Sequence, residues 1–264
     1  YNEDMGDNNI KIGKIFDVSW NIFVSNWKKL MPVFAFVLIM SAIVGGEDGK
    51  NTSSLENLVN LMWSIIQFII IIGVVNASLK LVRGDTISFS DFWQPKYFLK
   101  ILGTAILYAL PIVVLFGVVL GTLFLVLGNA FNIIIASIID PSVLAQYILP
   151  LILAFISLFI LIILYSTRVY FYQFVVIDQN IWGIKALKES FKITRRKAVS
   201  IFVLILAIVL ANIIGMMIFF VGLVFSLPLT FIALAYTYDQ LYKDYHGTQP
   251  DLPQERPIEL NAAE

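Results

Sequence analysis

Long runs of apolar residues, each separated from the next by a shorter polar stretch, dominate the chain. A helix that crosses the hydrocarbon core of a bilayer needs about 20 such residues. The runs predict spans at residues 30–44, 58–82, 97–127 and 147–170, and a further pair within 198–242. The first run is short, so its helix is expected to begin before Lys28. The pattern therefore predicts an all-α integral membrane protein with a six-transmembrane-helix bundle.

Shorter amphipathic segments accompany these spans. Residues 12–27 place their apolar side chains near one helical face, which predicts an interfacial helix. The alternative is an extension of the first span beyond the bilayer. Residues 87–95 predict a short interfacial helix capped by Ser88 or Ser90. Residues 128–147 are apolar but interrupted by glycine, asparagine and proline, so they predict an interfacial helix and loop rather than a seventh span.

The lysines and arginines give the predicted orientation. Residues 168–197 carry seven of the eighteen Lys and Arg residues, and Lys50 is the only one that the predicted spans assign to an outer loop. Because basic loops stay in the cytoplasm, both termini are predicted to be cytoplasmic, in a bacterial-type plasma (inner) membrane. The polar ends, residues 1–10 and 246–264, are predicted to be disordered, which leaves a membrane domain at 11–245.

The composition narrows the classes of function. Charged residues make up 14% of the chain, against about 25% in soluble domains. The net charge is zero, so nothing predicts a nucleic-acid partner. The chain has no cysteine and one histidine, His246, which excludes disulfides and Cys-rich or His-rich metal sites. The segment GGEDGKN lacks the spacing of a phosphate-binding loop, and no catalytic set is apparent. We therefore predict a non-enzymatic protein without cofactor or metal.

Arg168 is the most unusual single residue. It lies among apolar residues at the end of the fourth span, where an ionisable side chain normally has a function and a partner. Asp178 and Asp239 are the candidate partners, and we predict that Arg168 points into the bundle and meets one of them. The alternative is that Arg168 extends to the lipid headgroups.

Uncharged polar residues also lie within the predicted spans, namely Gln67, Asn76 and Asn212. Such residues usually join one helix to another, at roughly 0.6 kcal/mol each. The other interpretation is that they line a path for a substrate. Gly215 and Gly222 suit a tight turn or close packing between helices.

A basic amphipathic helix is predicted at residues 182–191, on the cytoplasmic surface. Ile181, Ile184, Leu187 and Phe191 recur at helical spacing, with lysines on the other faces. Membrane lipids, anionic on the cytoplasmic side, are the predicted partners. The candidate contacts are the cations of this region: Lys185, Lys188, Lys192, Arg195, Arg196 and Lys197. The alternative is that these cations serve only as an orientation signal.

Several motifs resemble a known bacterial group. They are Trp20 and Trp27 at W-x6-W, the segment RGDTISFSDFW, the set Arg168, Asp178, Ala186, Leu187 and Ser190, and the segments VGLVFSLPL and AYTYDQLY. From about residue 12 to residue 242 the chain resembles six-span proteins of the glycerophosphoryl diester phosphodiesterase membrane-domain and YciC-like group. The resemblance implies a six-helix inner-membrane module. The phosphodiesterase chemistry of that group resides in a separate soluble domain, so no catalytic residue carries over.

These observations predict a scaffold or accessory protein linked to lipid or envelope maintenance, with an unidentified protein partner left open. The competing prediction is a small transporter or lipid-handling channel that uses the polar residues of the bundle. A polar cavity reaching the middle of the bilayer would favour the transporter, whereas a closed apolar bundle would favour the scaffold.

Overall fold

The computed structural model describes residues 11–45, 54–128, 142–217 and 221–247. Within these ranges the chain forms eight α-helices and two short 3-10 helices. The α-helices are α1 (Ile12–Gly45), α2 (Ser54–Val82), α3 (Phe98–Gly128), α4 (Ser142–Val169), α5 (Tyr172–Gln179), α6 (Ile184–Thr194), α7 (Ala198–Met217) and α8 (Val221–His246). The 3-10 helices are Phe89–Phe92 and Pro95–Tyr97.

Six helical segments of the described chain are long and apolar enough to cross a membrane. They are Ile12–Ile43, Glu56–Val82, Phe89–Leu125, Ile148–Gln179, Ala198–Met217 and Gly222–His246. Each corresponds to one of the predicted spans, so the prediction of a multi-pass helical membrane protein is confirmed. Helices suit a bilayer because their backbone N–H and C=O groups bond to one another, whereas lipid hydrocarbon offers these groups no hydrogen-bond partner.

The first helix differs from the interfacial prediction. Helix α1 is continuous over 34 residues, so residues 12–27 and the first span form one element. At a rise of 1.5 Å per residue its length is about 51 Å, well above the roughly 30 Å hydrocarbon core. The continuity of α1 agrees with the alternative interpretation, in which residues 12–27 extend the helix of the first span.

Some predictions fall outside the described residues. The predicted disordered ends lie there, except that His246 is the last residue of α8. Of the predicted outer interfacial segment 128–147, Gly128 ends α3 and residues 142–147 belong to α4, while residues 129–141 are not described. Lys50 also lies outside the described residues.

The described chain divides into two compact units. The first unit takes in the described residues of Lys96–Ile205, and the second takes in those of Lys11–Pro95 and Leu206–Glu264. In the first unit, α3, α4 and α5 all pack against the short helix α6. In the second unit, α1 and α2 pack against α8, which is buried continuously from Ile232 to Asp239.

The 3-10 helix Phe89–Phe92 is seated on α2 in the second unit. A Cβ atom at Gly73 would overlap the backbone of Phe92, so only glycine allows this close approach. Ser88, one of the two predicted caps, is the N-cap of the 3-10 helix, and its backbone N–H donates to the Asp91 carboxylate at 2.8 Å. Lys29 of α1 donates to the carbonyl of Ile87 at 2.8 Å. The loop after α2 is thereby fixed to both helices.

Candidate functional site

Helix α6 packs on the rest of the first unit through a face of small and hydroxyl-bearing side chains. The buried members of α6 are Ala186, Ser190, Ile193 and Thr194. Ala186, Ser190 and Thr194 recur every four residues, which places them on one side of a helix. Because these side chains are short, the backbone of α6 approaches its neighbours closely.

Two of these hydroxyls bind the end of α4. The Ser190 and Thr194 hydroxyls donate to the carbonyl of Arg168, at 3.3 and 2.8 Å. Arg168 lies in the last turn of α4, where carbonyl groups have no partner within their own helix. Helix α6 therefore supplies hydrogen bonds that the end of α4 lacks.

The Arg168 side chain in turn binds the C-terminal end of α6. Its guanidinium donates to the carbonyl of Arg195 at 2.6 Å, and Arg195 is the C-cap of α6. The guanidinium carbon also lies 5.4 Å from the centroid of the Phe191 ring, within cation–π range. The ends of α4 and α6 thus satisfy each other. We name this reciprocal contact, formed by Arg168, Ser190, Thr194 and Arg195, the α4–α6 clasp.

The acidic partner expected for Arg168 is not among its contacts within the described chain. Asp178 lies half-buried near the end of α5, and the guanidinium of Arg168 instead meets a backbone carbonyl. Asp239 pairs with Arg83 and with Lys243, each at 3.1 Å. A charged donor that meets the free carbonyls at a helix end is stabilised without a carboxylate. The prediction of a direct pair with Asp178 or Asp239 is therefore wrong.

The segment that leads into α6 is also fixed. The backbone N–H of Gly183 donates to the buried Thr104 hydroxyl of α3 at 2.8 Å. Lys100 donates to the Asn180 side chain at 2.6 Å. Asn180 and Gly183 both have positive φ angles, 56° and 66°, which this sharp entry to the helix requires. The orientation of α6 is thus fixed at both ends.

Large apolar side chains are exposed on the opposite side of α6 and at Trp182, which lies just before the helix. Trp182 is 59% exposed, Ile184 is 58% exposed and Phe191 is 46% exposed, while Leu187 is half-buried. The exposed lysines of α6 lie among them. We call this the basic–apolar surface of α6, and its members are Trp182, Ile184, Lys185, Lys188, Phe191 and Lys192. Of the four positions that the periodicity marked as apolar, Ile184 and Phe191 are exposed, whereas Ile181 and Leu187 are half-buried.

The remaining candidate cations lie at and beyond the end of α6. Arg195 and Arg196 are exposed, and Lys197 is half-buried just before α7. The Lys192 ammonium forms an ion pair with the Glu189 carboxylate, at 3.3 Å between nitrogen and oxygen. Most of the positive charge of this region therefore faces outward, as the sequence predicts.

The polar residues of the predicted spans take up contacts within the second unit. Asn212 of α7 donates to the Thr230 hydroxyl of α8 at 2.9 Å and accepts from Ser226 at 2.8 Å. Asn76 of α2 donates to the carbonyl of Asp91 at 3.4 Å. Gln67 lies half-buried on α2. Asn212 and Asn76 thus join elements to one another, as helix-joining residues do.

Close backbone packing accompanies the Asn212 contact. A Cβ atom on Gly222 would overlap the backbone of Gly215, and one on Gly215 would lie 2.8 Å from the Ser226 hydroxyl. The prediction that these glycines allow close packing is confirmed. Small residues at such crossings let transmembrane helices approach and bury polar contacts.

Ion pairs that the sequence did not reveal join other elements of the second unit. Lys80 pairs with Asp91 at 2.6 Å, and Asp239 binds both Arg83 and Lys243. Both carboxylates are buried, at 8% exposure for Asp91 and 6% for Asp239. Two local signals were present in the sequence: the i, i+4 spacing of Asp239 and Lys243, and the Ser88–Asp91 capping spacing. The pairing with Arg83, 156 positions away, had no such signal.

Among the described residues, no group of three or more His, Cys, Asp or Glu side chains could hold a metal ion. Comparisons with protein-family models, with curated proteins and with solved structures gave no match. The resemblance to the six-span group therefore stays a prediction. The functional proposal below rests on the geometry of α6.

Proposed function

We propose that this chain is a non-enzymatic, multi-pass plasma-membrane protein that acts as a scaffold or accessory protein in lipid or envelope maintenance. In this proposal the basic–apolar surface of α6 contacts anionic lipid. The single observation that carries the proposal is the outward orientation of Trp182, Ile184 and Phe191 beside three lysines. Large apolar side chains left uncovered in this way mark a contact surface.

The apolar side chains and the lysines of this surface both favour its binding to an anionic membrane. Trp182, Ile184 and Phe191 lose contact with water when they enter the boundary between headgroups and acyl chains. Each lysine near an anionic surface adds about 1 kcal/mol. The α4–α6 clasp and the Thr104–Gly183 hydrogen bond hold the helix in place beforehand. The surface is thus preorganised, which lowers the entropic cost of binding.

Removing three charges of this surface is the direct test. With Lys185, Lys188 and Lys192 replaced by glutamine, we expect the preference for anionic over zwitterionic lipid to fall about tenfold or more at low salt. Competition between phosphatidylglycerol and phosphatidylcholine for the protein in nanodiscs measures this ratio.

The matched control replaces Lys11, Lys14 and Lys96, which are exposed and lie outside α6. It removes the same net charge, so a loss confined to the α6 variant assigns the preference to this surface. An equal preference in the two variants would contradict the lipid contact and leave the α6 lysines as an orientation signal.

The proposal places both termini and α6 on the cytoplasmic side of an inner membrane. Single cysteines are then expected to react with an impermeant maleimide from outside at Asn51 and Ser142, but not at Lys192. The chain has no cysteine of its own, so each substitution reports one position. Labelling of the Lys192 position from outside would overturn this orientation.

A small transporter or lipid-handling channel is the alternative. It would require the polar residues of the spans to line a path. Asn212 and Asn76 instead engage neighbouring elements, which favours the scaffold. The test is the movement of a fluorescent lipid from one leaflet to the other in vesicles that contain the purified protein. Movement in these vesicles but not in protein-free vesicles would support the alternative.

A further inference from the structure

A cavity of about 300 Å³ lies in the second unit, and it is lined wholly by apolar side chains. Five of the lining residues come from one stripe of α1, and the sixth comes from α8. They are Trp20, Phe23, Val24, Trp27 and Met31 of α1, and Phe225 of α8. The α1 members follow the 3.6-residue period of a helix, so they form a continuous strip rather than a scattered patch.

The strip is long and open to the surroundings. From Trp20 to Met31 it covers eleven helical steps, or about 16 Å along the axis. Trp20 and Trp27 are 54% and 47% exposed, whereas Phe23 at the base is buried. The Phe23 ring packs edge-on against the Phe225 ring at 6.3 Å between centroids, which fixes the floor of the cavity. Met31 lines the cavity at one end of the strip, and its flexible side chain can adapt to an occupant.

A cation lies beside this cavity. The ammonium of Lys28 is 6.0 Å from the centroid of the Trp27 ring, and Lys28 is exposed. Lys29, its neighbour, is bound to the carbonyl of Ile87 on another side of α1. Lys28 is thus placed to meet an anion whose apolar part lies along Trp27.

We propose that this cavity binds one acyl chain of an anionic membrane lipid, with the negative head of the lipid against Lys28. An apolar lining cannot replace the hydrogen bonds of a polar solute, which excludes sugars and nucleotides. The volume lies at the lower limit of ligand pockets, which suits a single chain. The length of the strip suits a linear occupant, and Lys28 complements an anionic head.

The two tryptophans of the cavity report on occupancy directly. In a variant with Trp63, Trp93 and Trp182 replaced by phenylalanine, only Trp20 and Trp27 remain among the five tryptophans of the chain. Brominated chains quench tryptophan on contact. With dibromostearate added to this variant in detergent micelles, we expect quenching that saturates at one equivalent. Quenching that rises linearly with the bromine content of the micelle would mean partition only and would overturn the proposal.

Filling the cavity provides the matched comparison. Val24→Phe places a larger side chain in the cavity and is expected to abolish the saturable quenching. Val59→Phe is the control, because Val59 has the same 49% exposure in the same unit but does not line the cavity. Equal quenching in the two variants would contradict binding in the cavity. Quenching that is absent in the parent, with a dimer that Val24→Phe dissociates, would assign the cavity to a second copy of the chain instead.

The headgroup contact has a separate test. Lys28→Gln is expected to weaken dibromostearate binding about fivefold, the effect of one cation on an anion at a membrane surface. Binding of the methyl ester of the same acid should not change. Equal effects on the acid and the ester would remove Lys28 from the site. Because this cavity and the α6 surface lie in different units, failure of one proposal leaves the other standing.

Discussion

Alanine in place of Gly73 is expected to lower the free energy of unfolding by about 3 kcal/mol. The added methyl group would overlap the backbone of Phe92, and a backbone cannot move aside as a flexible side chain does. The 3-10 helix Phe89–Phe92 must therefore lift from α2. Phe92 would leave the core of the second unit, where it packs with Ile70, Val74 and Ala77. The midpoint of thermal unfolding in detergent measures the loss.

Gly13→Ala is the control for this substitution. Gly13 lies on α1 with nothing within 4 Å of the added methyl group. Alanine there is expected to be neutral or to stabilise the helix by up to about 1 kcal/mol. Equal unfolding midpoints for the two variants would contradict the close seating of the 3-10 helix on Gly73.

The second large effect is expected at Arg83. The buried Asp239 carboxylate pairs with Arg83 and with Lys243. Replacing Arg83 with leucine removes the first of these two ion pairs and leaves the second. Breaking a buried pair costs roughly 3–5 kcal/mol. The Arg83 side chain is 36% exposed and Lys243 remains, so we expect about 2 kcal/mol here.

A double-mutant cycle separates the ion pair from other effects of the substitutions. Asp239→Leu alone should also destabilise the protein, and the double variant should lose less than the sum of the two single changes. Arg196→Leu removes the same charge at an exposed position and should have little effect. Strict additivity in the cycle would show that Arg83 and Asp239 do not stabilise each other.

The motifs that carry the family resemblance acquire structural roles. The segment RGDTISFSDFW supplies Arg83 and Asp91, and AYTYDQLY supplies Asp239. These residues form the buried ion pairs of the second unit. In the first unit, Arg168 and Ser190 belong to the α4–α6 clasp. The motif residues therefore hold helix ends and loops in place.

Much of the architecture was predictable because a membrane span is a local property. A run of apolar residues of sufficient length must become a helix in lipid, whatever its neighbours are. The six spans follow from this rule. The close packing at Gly215 and Gly222 was predictable for a different reason, namely that two backbones can approach closely only where the side chains are small. The Ser88 start of the 3-10 helix also follows from residues close in sequence.

The orientation of α6 was not predictable by the same reasoning. Periodicity shows that one face of a helix is apolar, but it does not show whether that face meets protein or lipid. In water the apolar face would be buried against the protein. Here the small residues Ala186, Ser190 and Thr194 face inward, and the Ser190 and Thr194 hydroxyls donate to the Arg168 carbonyl at the end of α4.

The sequence by itself determined the helical class, the six apolar segments and the concentration of positive charge between residues 168 and 197. Tertiary structure alone decided which charges meet. Arg168 binds the Arg195 carbonyl, while Asp239 of α8 binds Arg83, which follows α2 and lies 156 positions away. Hydropathy and spacing depend on neighbours along the chain, whereas the partner of a buried charge depends on which helix ends fold together.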